Sequence, residues 1–241
     1  MKRMVESVFI ASLVAVVLSW WNKDTLADLD LSDGLQETPV QSIADRNTFS
    51  VSYGGANYEV EPQFRYEMSG LVVSTRHHDG DSMLHKYWND HLNVADLCVL
   101  WGDNAYDLDL TEFSFRSGQF TCFVETQSNI AWRRFRLDQL ANNHLLSESP
   151  AIRNRIGDVQ IGDEIRVEGY LASYSNEQGF RRGTSTVRDD TGDGACETIY
   201  VTDFRVTQSM SNIWRMLFSL SGFGLLVSSV GWLFAVVRGS F

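Results

Sequence analysis

Two uncharged apolar runs stand near the ends of this chain and constrain it more than anything between them. Residues 216–237, "MLFSLSGFGLLVSSVGWLFAVV", run for 22 residues without a charge, ample to cross roughly 30 Å of hydrocarbon as a helix. Residues 7–21, "SVFIASLVAVVLSWW", give 15, or 18 counted from Met4, and follow Lys2 and Arg3. This first run reads either as an uncleaved anchor or as a signal peptide. The only tolerable cleavage site is "TLA" at 25–27, and Trp20, Trp21, Lys23 and Asp24 approach it badly. Paired Trp at the end of an apolar run suits a membrane interface, so the sequence predicts an anchor over 1–21 and a second span over 213–237. Lys2, Arg3 and Arg238 flank the outer ends of the two spans, which places both termini in the cytoplasm and the middle outside it. Arg215 stands at the opposite end and counts against that orientation.

The middle is acidic. The chain carries a net charge of −11, and setting aside Lys2, Arg3, Glu6, Arg215 and Arg238 leaves −14 over residues 7–214. That field repels nucleic acid and anionic lipid, so neither is an expected partner. Cys98, Cys122 and Cys196 are widely spaced with no CxxC, which removes zinc-ribbon and thioredoxin-like readings. In an oxidising compartment one pair would be bridged and one thiol left; buried free thiols fit the apolar surroundings of Cys98 and Cys122 equally well.

Residues 22–46 are acidic and aperiodic, and read as a tether with at most one short helix. From 47 to 212 the pattern is mainly β. "TFSVSY", the turn "GGAN" and "YEVE" form a hairpin, and "FRYEMSGLVVSTR" is a long strand whose Gly70 marks a bend. A helix is expected over 82–93 with Ser82 as its cap, then the strand "DLCVLWG" and two strands around Ser117-Gly118. "RFRLDQLANNHLLS" and "PAIRNRIGDV" read as helices, the latter with Pro150 at its first position. "GDEIRVEGYLASYS" and "ETIYVTDFRVTQ" close the domain as strands. This order, with Gly169 on the inward face of its strand, predicts an OB-like, partly closed β-barrel between two transmembrane helices, mainly β with a few helices (α+β).

Several constellations carry possible chemistry. Small residues recur along the second span at Ser221, Gly224, Ser228, Gly231 and Ala235, and along the first at Ser7, Ala11, Ala15 and Ser19. Such stripes let helices approach closely in lipid, against the first span, a second copy or another protein. "STRHHDGDSMLHKYWNDH" holds four of the five histidines; His78, Asp81 and His85 are the best set for a metal, although the spacing builds no ready-made site. In "DDTGDGACETIY" Asp189, Thr191, Asp193 and Gly194 take the first, third, fifth and sixth places of a calcium loop. Its twelfth place is Tyr200 rather than Glu, with Glu197 at the ninth, so a polar hairpin is the simpler reading. No GxSxG, Walker or Rossmann signature occurs, and Cys196 has acidic neighbours that oppose a thiolate; no catalytic residue is assigned and no cofactor is implied. Trp132, Arg133, Arg134 and Phe135, with Phe180, Arg181 and Arg182, join aromatics to Arg in an acidic domain, the composition of a binding surface.

The run from "DLCVLWGDN" through "WRRF", "LANNHLLS", "GDEIRVEGYLASY" and "GFRRGTSTVRDDTGDGACETIYV" resembles an uncharacterised family of bacterial membrane-anchored proteins with an OB-like β domain, over roughly residues 64–206. The resemblance implies a bacterial origin and one integral domain, and brings no catalytic residues with it; with the two spans, the expected location is a bacterial inner membrane. Two readings of function stay open. One is an envelope protein whose acidic domain binds a protein or peptide partner within a membrane complex; the other is a metal-dependent or thiol hydrolase at the membrane surface.

Overall fold

The computed structural model describes residues 2–78, 83–118, 121–187 and 196–237. In chain order its elements begin with α1 (Lys2–Asn22), β1 (Val40–Ile43), β2 (Phe49–Tyr53), β3 (Ala56–His77), α2 (Met83–Trp88) and β4 (Asn93–Leu100). Then come α3 (Asp103–Tyr106), β5 (Phe113–Ser117), β6 (Cys122–Thr126), α4 (Asn129–Arg134), β7 (Leu140–Leu146) and α5 (Pro150–Gly157). The last are β8 (Glu164–Asn176), β9 (Arg181–Arg182), β10 (Glu197–Gln208) and α6 (Ile213–Val237). The protein is thus mixed α+β and mainly sheet, with an apolar helix at each end. It divides into two compact units, residues 1–25 with 211 onward, and residues 26–210.

In the first unit α1 and α6 pack antiparallel, and both are long and apolar enough to cross a membrane. Only 6% and 11% of their apolar windows is buried, so their large side chains stand outward, unlike those of a core helix. Small residues make the contact: Ser221 and Ser228 are buried, and a Cβ added to Gly224 would meet the Ser12 Oγ at 2.5 Å. The facing stripe of α1 is shifted from the expected one, since Ser19 is buried while Ser7 and Ala11 are exposed. Gly231 has open space around it, and the Ala235 side chain lies outside the described residues. At the other end of the pair Arg215 Nη2 lies 3.3 Å from Asp24 Oδ1, and its Nε donates to the Lys23 carbonyl at 3.1 Å.

The second unit is built on pairing. β3 runs antiparallel to β4, β4 to β7, β7 parallel to β10, and β10 antiparallel to β8. β8 pairs in turn with β3 from Tyr58↔Asn176 to Leu71↔Glu164. β1 and β2 add to β3, and β5–β6 form a separate hairpin. Inward side chains of the five long strands, among them Met68, Leu97, Val99, Leu145, Val167, Ile199 and Phe204, form the main apolar core. Burying each such side chain contributes about 1.5–3 kcal/mol. α5 begins at Pro150 as expected and sends Ile152 and Ile156 into that core. Gly169 sits beside a register shift between Val201 and Asp203, where a Cβ would overlap the Tyr200 carbonyl. Only glycine allows so close an approach of two backbones there.

Four sequence expectations need correction. "LANNHLL" is not helical: it is β7, buried along its length between β4 and β10, so the alternation that marks a half-exposed strand is missing. From Leu26 onward the supposed tether is part of the β unit, where Leu35 is buried and β1 pairs with β3. The helix expected over 82–93 stops at Trp88, where Asn89 takes a positive φ of 51°. "YEVE" and "FRYEMSGLVVSTR" are not separate strands: both belong to β3, which continues through Pro62 with a shift of register against β8. Of the three cysteines, Cys98 and Cys122 are joined in a disulfide with their Cα atoms 5.8 Å apart, and Cys196 is outside any disulfide.

Candidate functional site

The β4–β7 ladder sets Asp96 directly opposite His144, and the parallel β7–β10 ladder sets Thr198 beside His144. These side chains stand on the face turned away from the main core. There His78 and Arg182, the latter on β9, meet them. Asp96 Oδ1 accepts from His144 Nδ1 at 2.5 Å and from Asn93 Nδ2 at 3.0 Å, while His78 Nε2 lies 3.1 Å from Oδ2. On the other side of the imidazole, Arg182 Nη2 meets His144 Nε2 at 2.8 Å. Asp96 and His144 are fully buried.

This geometry fixes the proton positions. A guanidinium only donates, so His144 Nε2 must accept, and the single ring proton sits on Nδ1, where it is donated to Asp96. His144 is therefore neutral. Burial pushes its pKa below the ordinary value, the Asp96 carboxylate pulls the other way, and the Arg182 charge adds to the depression. Burial alone would raise Asp96, but His144 and His78 outweigh it and hold the carboxyl well below the usual range. The result is an ionised carboxylate, a neutral imidazole and a guanidinium in one line. Breaking such a buried arrangement is costly, because one charge is then left uncompensated.

A second group lies next to it. Asp90 Oδ2 takes His85 Nδ1 at 3.1 Å and the Tyr174 hydroxyl at 2.9 Å, and the His85 ring lies 4.0 Å from that of His78. Burial, and then the Asp90 charge, raise Tyr174 well above its ordinary value, so it remains a donor. His78 and His85, the histidines of the proposed metal set, thus come together, each against its own carboxylate. Asp81 lies outside the described residues. Among the described residues no group of three or more His, Cys, Asp or Glu is placed to hold a metal. The calcium-loop positions Asp189, Thr191, Asp193 and Gly194 also lie outside them, while Glu197 and Tyr200 belong to β10.

Above the Asp96–His144–Arg182 line opens a cleft of about 780 Å³, lined by Tyr87, Trp88, Phe180, Arg181, Arg182, Thr184 and Cys196 among others. Trp88 and Phe180 stack within it, their centroids 5.6 Å apart and their planes 22° apart. One side chain positions both: Asn176 Nδ2 donates to the Trp88 carbonyl at 2.8 Å, and Asn176 Oδ1 accepts from the Phe180 amide at 3.2 Å. Cys196 Sγ lies 3.5 Å from Asn142 Nδ2. Burial pushes this thiol up, and the help from Asn142 and Arg182 does not reverse it, so the thiol stays protonated near neutral pH.

The other aromatic–arginine cluster stands elsewhere. Trp132, Arg133 and Arg134 fall on α4, opened by Ser128 accepting from the Ala131 amide, and Phe135 follows it. Trp132 stacks on Phe135 at 5.9 Å, Phe135 packs on Phe113, and Arg134 donates to the Asp107 carbonyl. Trp132 lines a different depression, beside β5 and β6. The two halves of the binding surface expected from composition thus line different depressions. Asp96 and Asn176, which stand behind the cleft and not in its lining, carry no signal in the sequence beyond register, which a single sequence does not display. Comparison of the chain with family models, curated proteins and solved structures finds no match.

Proposed function

We propose that this is a two-span protein of a bacterial inner membrane whose acidic β unit lies outside the cytoplasm and binds a protein or peptide partner in the Trp88–Phe180–Arg182 cleft. The observation that carries the reading is the support beneath Arg182. A buried carboxylate and a neutral imidazole, costly to place in a protein interior, serve to fix one guanidinium in a cleft beside stacked aromatics. Arg and Trp in a formed cleft are the residues that dominate binding energies. The cycle of pairings from β3 through β4, β7, β10 and β8 back to β3, with only β7–β10 parallel and α5 between β7 and β8, supports an OB-like, partly closed barrel.

The Cys98–Cys122 disulfide fits an oxidising compartment. Arg215 pairs with Asp24 at the same helix ends, but the positive-inside rule counts basic residues rather than net charge, so the orientation rests on Lys2, Arg3 and Arg238 at the outer ends. A reporter active only outside the cytoplasm, fused after Asp33, should be active; silence would overturn the orientation. For the cleft, a photo-reactive residue replacing Tyr87, which is 81% exposed at the rim, should give a discrete cross-linked product in cells. That product should vanish with Arg182→Glu and be absent when Trp132 carries the probe. The same products from both positions would refute the cleft as the partner site.

A further inference from the structure

We propose that the cleft reads the C-terminal carboxylate of its partner, with an aromatic or branched apolar last side chain laid against Trp88 and Phe180. This rests on the reading of the cleft as a partner site and names what it recognises. A guanidinium is a planar fork of N–H donors that matches a carboxylate. Arg182 lines the cleft, and its Nη2 is pinned from behind by His144, which Asp96 pins in turn. Side-chain freedom that binding would otherwise remove is therefore already gone, which favours affinity. The aromatic wall is held in the same way, since Asn176 ties the backbones of Trp88 and Phe180 together.

Charge and size select among anions. The −14 carried by residues 7–214 repels ligands bearing several negative charges, such as polyphosphates and nucleic acids, and penalises a single carboxylate least. A cleft of about 780 Å³ has the size of a small-ligand site and encloses one or two residues rather than a flat protein surface. A chain end meets both conditions: it brings one carboxylate with one side chain beside it.

The test uses the full-length protein in nanodiscs and calorimetric titration with acetyl-Gly-Ala-Phe as the free acid, the same peptide as its C-terminal amide, and 3-phenylpropionate. The free acid should bind about tenfold or more tighter than the amide, the value of one charge-assisted hydrogen-bond pair. Arg182→Gln should abolish that difference, and Trp88→Ala should weaken acid and amide alike. Should Arg182→Gln fail to fold, the acid–amide comparison on the parent protein still decides the matter. Equal binding of acid and amide would overturn the inference and leave the cleft standing as a peptide site. 3-Phenylpropionate binding as tightly as the peptide acid would assign the cleft to a free organic acid and overturn it too. No binding by any probe at about 10 mM overturns it as well. The reading of the cleft as a partner site is judged separately, by the Tyr87 cross-links.

Discussion

The β unit carries two clusters that look alike in the sequence, "WRRF" at 132–135 and "FRR" at 180–182, and the structure treats them differently. The arginines of the first end on exposed groups: Arg134 reaches a backbone carbonyl, and nearby Arg136 pairs with the half-exposed Asp103 and Asp138. Arg182 of the second ends on a fully buried imidazole with a fully buried carboxylate behind it. The first cluster is a surface made by local sequence. The second is the visible end of a network assembled from β4, β7 and β9. A surface ion pair is worth little, whereas a buried one constrains everything that touches it. What separates a binding surface from a solvated face is therefore what stands beneath the arginine.

The contrast breaks most directly at Asp96. Asp96→Ala should destabilise the β unit by about 3–5 kcal/mol, read as a drop in the thermal transition of the full-length protein in detergent, because His144, His78 and Arg182 lose their shared anion. Reduction of Cys98–Cys122 should cost about 3 kcal/mol, from the 24-residue separation it spans. That loss should loosen the Trp132 side first, since Cys122, Phe115 and Phe135 pack in one apolar cluster there. Hydrogen exchange resolved by segment would show which side opens.

Smaller effects sharpen the comparison. Asn176→Ala should cost about 1–3 kcal/mol, leave the Trp88 carbonyl and Phe180 amide without that partner, and abolish the Tyr87 cross-link. The pH dependence has a definite sign. His144 has a lowered pKa in the fold, so the unfolded chain binds its proton first, and stability falls as pH drops below the ordinary value of 6.5. Asp96, also lowered, continues the fall below its ordinary value of 3.8 as the unfolded chain takes up that proton. Melting temperatures between pH 8 and pH 5 should decline in the parent protein and flatten in His144→Gln. On the other cluster, Arg134→Ala should leave stability within about 0.5 kcal/mol of the parent.

Much of the β unit is legible in the sequence wherever one face of an element meets water. β8 alternates over residues 165–171, the β2–β3 hairpin turns on Gly54-Gly55, and α5 announces itself with Pro150. β7 is not legible because it is buried on both faces, Asn142, Asn143 and His144 included, so polarity suggests a surface that does not exist. The site follows the same division. Phe180 and Arg182 stand out by composition, and His78 with His85 by density. Asp96 and His144 are 48 residues apart, and only strand register makes them a pair. Asn176 looks like an ordinary turn residue in "SNEQG" until its two hydrogen bonds show it holding both aromatic walls.

The central claim is that Arg182 rests on a neutral His144 whose proton is held by Asp96. Long-range ¹H–¹⁵N correlation spectra of the histidine side chains, recorded on the full-length protein from pH 8 to pH 5, test it directly. The account predicts that His144 keeps its proton on Nδ1, with Nε2 unprotonated, and that it does not titrate near pH 6.5. An imidazolium at neutral pH, or the proton on Nε2, would contradict it.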